Sequence, residues 1–221
     1  MKKTPENLLA LGMLFAVALV LSNVVAAKVV ATGLPFPGGT LVFPGAVFCY
    51  AITFLVTDVV GEIWGRREAA AIVRWGLAAQ VLAAGLLLFT QALPPASPAV
   101  QEAYRTLLGQ NWAFASSSLV AYVASQSWDV FVFHRLRGAV LARHPDGRGR
   151  RWIWNNVSTM SSQLVDTVLF VGLAFGCGLG WLFDPAKRPA LFSLLLGQYL
   201  VKVALAALDT LPFYWLTRGR G

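Results

Sequence analysis

Long apolar runs alternate with short polar ones along the chain, and six of the runs reach the roughly 20 residues a helix needs to cross a bilayer. They predict spans at about 8–30, 42–63, 70–92, 113–134, 158–182 and 190–216. The fourth and fifth runs share a polar signature: Ser125-Gln126-Ser127-Trp128-Asp129-Val130-Phe131-Val132-Phe133 and Ser162-Gln163-Leu164-Val165-Asp166-Thr167-Val168-Leu169-Phe170 both read Ser-Gln-x-x-Asp-x-x-x-Phe. At about 100° per residue, Thr159, Ser162, Gln163 and Asp166 fall within roughly a 100° arc of one helix, and Tyr122, Ser125, Gln126 and Asp129 do so on the other. Each helix therefore carries one polar stripe on an apolar body. The two helices are antiparallel, so the motifs sit at similar depth. An ionisable residue at that depth is costly, faces a protein interior or a water-filled cavity, and marks a functional site by default.

Other polar residues interrupt the runs. Asn23 lies in the first span, and Gln198, Lys202 and Asp209 share a face of the last. Asp58 and Glu62 are four apart near the end of the second, where a purely structural role is as good a reading as a functional one. Each mid-helix charge costs about 2.5–3.5 kcal/mol on insertion scales, so these groups cannot all face lipid. One reading is an internal salt-bridge network, with Lys202 pairing Asp166 or Asp209. For the set as a whole, two amides beside two acids fit recognition of a polar, planar ligand better, with Trp128 or Tyr122 as a stacking face. Most other tryptophans fall near span ends, as an interfacial belt requires. Gly172, Gly176 and Gly180 form a small-residue stripe that lets another helix approach closely, from this chain or from a second copy in a homodimer.

Composition agrees with the pattern. Of 221 residues, 57% are hydrophobic and 13% charged, outside the range of soluble domains. The net charge of +8 does not imply nucleic acid, because the basic residues cluster between spans. Lys2, Lys3, Arg66, Arg67, Arg74, the six arginines from Arg135 to Arg151, Arg218 and Arg220 fall on one side; Arg105, Lys187 and Arg188 fall on the other. The positive-inside rule then places both termini in the cytoplasm. The expected fold is an all-α integral membrane protein of six transmembrane helices, forming one domain over 1–221 in a bacterial inner membrane. Lys2-Lys3, the apolar run and Val25-Ala26-Ala27 also resemble a signal peptide, although the run continues past that site. The segment from Gly33 to Gly39 reads as turn chemistry, Pro44 and Gly45 as a kink near the start of the second span, and the stretch before Asn111 as a short helix.

No catalytic chemistry is visible. Cys49 and Cys177 stand alone in apolar runs, His134 and His144 lack metal-ligand spacing, and there is no Gly-rich nucleotide loop. The expectation is a non-enzyme without cofactor or metal.

Taken together, the motifs resemble the bacterial queuosine-precursor transporters, also described as a vitamin-uptake family. The resemblance rests on Ser22-Asn23, Phe43-Pro44, Thr57-Asp58 and Glu62-Ile63-Trp64-Gly65. It continues through Ser118-Leu119-Val120-Ala121-Tyr122, Ser125-Gln126, Asp129-Val130 and Phe133, and ends in Ser158-Thr159, Asp166-Thr167, Lys202 and Pro212. One departure is Asn111-Trp112-Ala113, where many members carry an Arg. The resemblance implies uptake of purine-like 7-deazaguanine bases, preQ0 and preQ1, with Gln126, Asp129, Gln163, Asp166, Asn23, Tyr122, Trp128 and Lys202 holding the base and Asp58, Glu62 and Asp209 in secondary positions. The rival classes are a membrane subunit of an ATP-driven vitamin importer and an intramembrane enzyme. The topology is testable at once: cysteines introduced at Gly147 and Ala96 are expected to react with impermeant reagents from opposite sides, and labelling from one side rejects six spans.

Overall fold

A computed structural model describes residues 1–37, 39–109, 111–143 and 151–217. Helix α1 (Pro5–Val25) opens with Thr4 as its cap, the hydroxyl accepting the Asn7 N–H at 3.3 Å, and with Pro5 in the first turn. It ends at Val25, five residues before the predicted limit of the first span. The chain then forms an antiparallel hairpin of β1 (Val29–Phe36) and β2 (Gly39–Pro44), with Val29 opposite Pro44 and Ala31 opposite Val42. The all-α expectation is corrected to this extent. Val29, Val30, Thr32, Thr40 and Val42 favour extended backbone, and Gly33, at φ 78°, absorbs the register shift between Ala31 and Pro35.

Non-helical backbone inside an apolar bundle needs partners from the protein. They come from α7 (Arg188–Thr217): Ser193 Oγ accepts the Val42 N–H at 3.1 Å and donates to the Thr40 carbonyl at 2.9 Å. One turn on, Gly197 lies so close to the Val42 carbonyl that a Cβ there would overlap it. The Gly45 N–H donates to the Lys28 carbonyl at 2.8 Å, and α2 (Ala46–Ile63) begins at the next residue. Pro44 and Gly45 thus mark the change from strand to helix and do not kink a span.

α3 (Arg66–Ala92) runs parallel to α1, with Ile72 against Gly12, and Phe15 and Leu19 against Gly76. α4 (Pro98–Leu108) is the expected short helix. It is tied to α3 by Tyr104 Oη donating to the Leu87 carbonyl at 3.1 Å and Gln101 Nε2 donating to the Gln91 carbonyl at 3.1 Å. α5 (Asn111–Arg143) lies along α6 (Arg151–Val171), which continues as π-helical turns over Gly172–Gly178. The predicted glycine stripe is only partly covered: Gly172 is open, Gly176 faces Leu182 and Leu191 of the same chain, and Gly180, at φ 72°, belongs to the turn that follows.

α6 pairs with α7 and α1 with α3, while α2 touches α1, α3 and α7 and α5 touches α1, α3 and α6. Phe15, Val59, Val60, Phe114, Val171 and Leu194 fill the interior. Leu82 and Phe89 of α3 and Phe192 and Leu200 of α7 are exposed, so the outside of the bundle is also apolar, as lipid contact demands. Among the described residues, five helical stretches are long and apolar enough to cross a membrane: α1, α2, Arg67–Ala92 of α3, Val157–Gly178 and Arg188–Leu205. α5 has 33 residues but is not among them, because Ser116, Ser117, Ser118, Ser125, Gln126, Ser127 and Asp129 interrupt its apolar length. The Met1 ammonium donates to the Leu216 carbonyl, which puts both ends of the chain at one end of the bundle.

Substituting Gly197 with Ala is expected to force β2 off α7 and destabilise the fold by about 1–3 kcal/mol, as overpacking does. Gly172→Ala, where a Cβ meets nothing within 4 Å, is expected to melt within about 0.5 kcal/mol of the parent. Thermal unfolding of the purified proteins in detergent compares the two.

Candidate functional site

Helices α6 and α7 meet at an ion pair. Lys202 Nζ donates to Asp166 Oδ2, and the two residues are 6% and 5% exposed. Lys202 lies 14 positions into α7, about 21 Å along a helix rising 1.5 Å per residue, so the pair sits deep in the bundle. Its ammonium is 5.6 Å from the ring centroid of Tyr50 on α2, within cation–π range. The Tyr50 hydroxyl shares a hydrogen bond with Ser118 Oγ on α5. Four helices therefore contribute to one connected polar cluster.

The cluster has hydrogen-bonding capacity left over. Gln163 is one turn from Asp166 on α6, and Gln198 is one turn from Lys202 on α7. Both are buried, and Gln163 Oε1, Gln198 Oε1 and Thr167 Oγ1 have no hydrogen-bond partner among the described residues. A buried polar group left unpaired costs about 1–3 kcal/mol. A carboxamide can present either its oxygen or its NH2 by turning about its last bond, so Gln163 and Gln198 can serve a ligand as acceptor or donor. Towards the C-terminal end of α6 the cluster is roofed by aromatic rings. Phe175 lies 5.2 Å from Phe114, 6.3 Å from Phe170 and 5.5 Å from Trp181, centroid to centroid. The cluster thus sets an acidic side chain, a basic one and two amides within a turn of one another along α6 and α7.

The structure brings Gln163, Asp166 and Lys202 together, as the sequence pattern anticipates, and the partner of Lys202 is Asp166. Tyr122 is half-buried one turn from Ser118 on α5. Trp128 does not stack over the carboxylate. It is 43% exposed, packs on Phe131 at 6.0 Å and donates its Nε1–H to Ser161 Oγ at 3.2 Å. Ser161 lies roughly 140° around α6 from Asp166. Asn23 is buried on α1, in the seam with α3, and neither helix carries a member of the ion pair. Asp58 and Glu62 are exposed on α2. The side chains of Gln126, Asp129 and Asp209 lie outside the described residues. Tyr50 escapes a reading of the sequence, although Tyr50, Thr53 and Thr57 at i, i+3 and i+7 form a polar stripe on α2 that signals it. Gln80, buried in α3, is also missed; its only signal is being a lone amide in an apolar run.

Apolar helices around a buried polar interior define a multi-pass membrane protein. Residues 44–216 match the family described as "Putative vitamin uptake transporter", and the chain belongs to that transporter family. Over 173 residues it is 33% identical to a Bacillus subtilis (strain 168) protein named "Probable queuosine precursor transporter", covering 76% of this chain and 69% of that protein. No solved structure matches significantly. The resemblance read from the motifs is therefore shown at the level of the family.

Breaking the pair is expected to cost more than replacing it. Lys202→Met leaves Asp166 buried without its cation, a loss of about 3–5 kcal/mol, whereas an Asp166→Leu/Lys202→Met double variant recovers most of that stability. Melting of the single and double variants in detergent measures the difference. A single variant as stable as the parent contradicts the pairing.

Proposed function

We propose that the chain imports 7-deazaguanine queuosine precursors, preQ0 and preQ1, through a six-span bundle with cytoplasmic termini in the bacterial inner membrane, and that the base is held at the Asp166–Lys202 cluster. The observation that carries this reading is that Gln163, Thr167 and Gln198, each within about a turn of Asp166 or Lys202 on its own helix, have buried polar atoms with no partner among the described residues. A guanine-like edge offers ring N–H and exocyclic amine donors to a carboxylate and a carbonyl to an amide or ammonium. Asp166 accepts from the donors, Gln163 and Gln198 complete the edge, and Lys202 is the partner Asp166 keeps until the base arrives. Gln126 and Asp129, the repeat of the motif on α5, serve the same ligand from the facing helix, with Tyr122 beside them. Selectivity follows from burial, because a base lacking these groups leaves the site's own polar atoms unmatched. The name of the Bacillus subtilis relative supports the same substrate class.

Uptake of labelled preQ0 and preQ1 into vesicles containing only this protein tests the function. Gln163→Leu tests the site. Removing an unpartnered buried amide is expected to leave the melting temperature unchanged or raised, while binding of both bases weakens by roughly 10- to 100-fold, or about 1.4–2.7 kcal/mol. A packing role predicts the opposite pattern, with stability lost first. Gln163→Leu and Gln198→Leu proteins that bind both bases as tightly as the parent reject the assignment.

A further inference from the structure

A second group of buried polar atoms lies on α1 and α3, two helices that carry neither member of the ion pair. Gly12 abuts Ile72 there, and one turn on, Phe15 and Leu19 press against Gly76. The next turn brings Asn23 and Ser22 level with Gln80, because Asn23 follows Leu19, and Gln80 follows Gly76, by four residues each. Ser22, Asn23 and Gln80 are 0%, 1% and 1% exposed. Neither end of the Gln80 amide has a hydrogen-bond partner among the described residues, nor has Asn23 Oδ1. Ser22 Oγ–H and one Nδ2–H of Asn23 donate to the Leu19 carbonyl, at 2.6 and 3.3 Å. The oxygens left in the seam are Asn23 Oδ1, Gln80 Oε1 and the lone pairs of Ser22 Oγ.

The end of α1 adds to this. The helix stops at Val25 with no basic residue in its last turn, and Ala26 behind it is fully buried. The last carbonyls of an α-helix lack the N–H groups of a following turn and carry roughly half a negative charge. Lys28 N–H occupies the Val25 carbonyl at 3.0 Å, while the Lys28 side chain is exposed. Neither helix brings a carboxylate to this level: the acids of α1 and α3 are Glu6 and Glu68, at their opposite ends.

We infer that Ser22, Asn23, Gln80 and the terminal carbonyls of α1 form a binding site for a monovalent cation of the sodium class. Neutral oxygens from side chains and from a helix C-terminus are the donor set that holds sodium inside membrane transporters. A divalent ion binds through carboxylates, which this seam lacks. A cation satisfies Asn23 Oδ1 and Gln80 Oε1 together, and Gln80 Nε2 is then free to donate to a carbonyl at the end of α1. Occupancy is felt at the ion pair through the backbone. α1 runs directly into the hairpin, and the hairpin rests on Ser193 and Gly197 of α7, about two and a half and one and a half turns before Lys202.

The test is thermal melting of the purified full-length protein in sodium, potassium and choline chloride at constant ionic strength. The expected result is a saturable rise in Tm with sodium and none with choline. That rise is expected to be lost in Gln80→Leu and in Asn23→Ala and kept in Gln163→Leu, whose substitution lies in the other cluster. No sodium-specific rise in the parent protein, or an equal rise in Gln80→Leu, overturns the site and leaves the seam holding water only. Should Gln80→Leu not purify folded, Gln80→Met and Asn23→Ser decide by the same two outcomes. The readout needs no transported base, so its failure is separate from failure of the deazaguanine reading.

Discussion

The pairing of Asp166 with Lys202 is the constraint on which the interior depends. Either charge alone in a bilayer costs about 2.5–3.5 kcal/mol, and a buried pair is secure only while both partners are present. Because the partners sit on α6 and α7, the two helices are held at one relative height. Tyr50 over the ammonium extends that control to α2, and Ser118 on the Tyr50 hydroxyl extends it to α5. Apolar side chains cannot do this, since lipid receives them as readily as a neighbouring helix does. The polar residues therefore set the register of the bundle, and the apolar ones fill the volume that register defines.

Buried hydroxyls and buried amides behave differently in this chain. Thr167 Oγ1 has no partner among the described residues, but buried Ser22, Thr53, Ser125 and Ser162 each return their proton to a carbonyl three residues back on their own helix. Such groups cost little in an apolar medium and need nothing from a ligand. Gln80, Gln163 and Gln198 have longer side chains and two polar ends, and each retains a polar atom with no partner. Among the described residues, unmet demand thus falls in two places, the α6–α7 cluster and the α1–α3 seam.

Much of this could be read from the amino-acid order, for physical reasons that also explain what could not. Span length and the cost of buried charge leave strong local signals, so most of the apolar runs and the need of Lys202 for a carboxylate follow from them, although the choice of Asp166 over Asp209 does not. The hairpin leaves a weak one. Its valines and threonines favour strand, but Ser193 and Gly197, which anchor it, lie some 150 positions away and look like any small residues in a helix. Tyr50 was hidden because an aromatic ring in an apolar run is equally at home against lipid. Trp128 misled for the converse reason: its place beside Asp129 in the sequence says nothing of which side of α5 it occupies, and its indole turns to Ser161. The end of α1 at Val25 could not be seen in hydropathy, which continues unbroken into β1.

The clasp between the hairpin and α7 has a mechanical consequence. Ser193 is bonded to two positions of β2 and Gly197 leaves it no clearance, while the Gly45 N–H ties the start of α2 to Lys28 just past α1. These pieces form one lever: the end of α1, the hairpin, the start of α2 and the first turns of α7. α5 and α6, packed along one another, form a second. Lys202 lies further along α7 from the clasp and Asp166 on α6, so any displacement of the clasp relative to α6 is borne by their ion pair, as a latch bears the pull of a door.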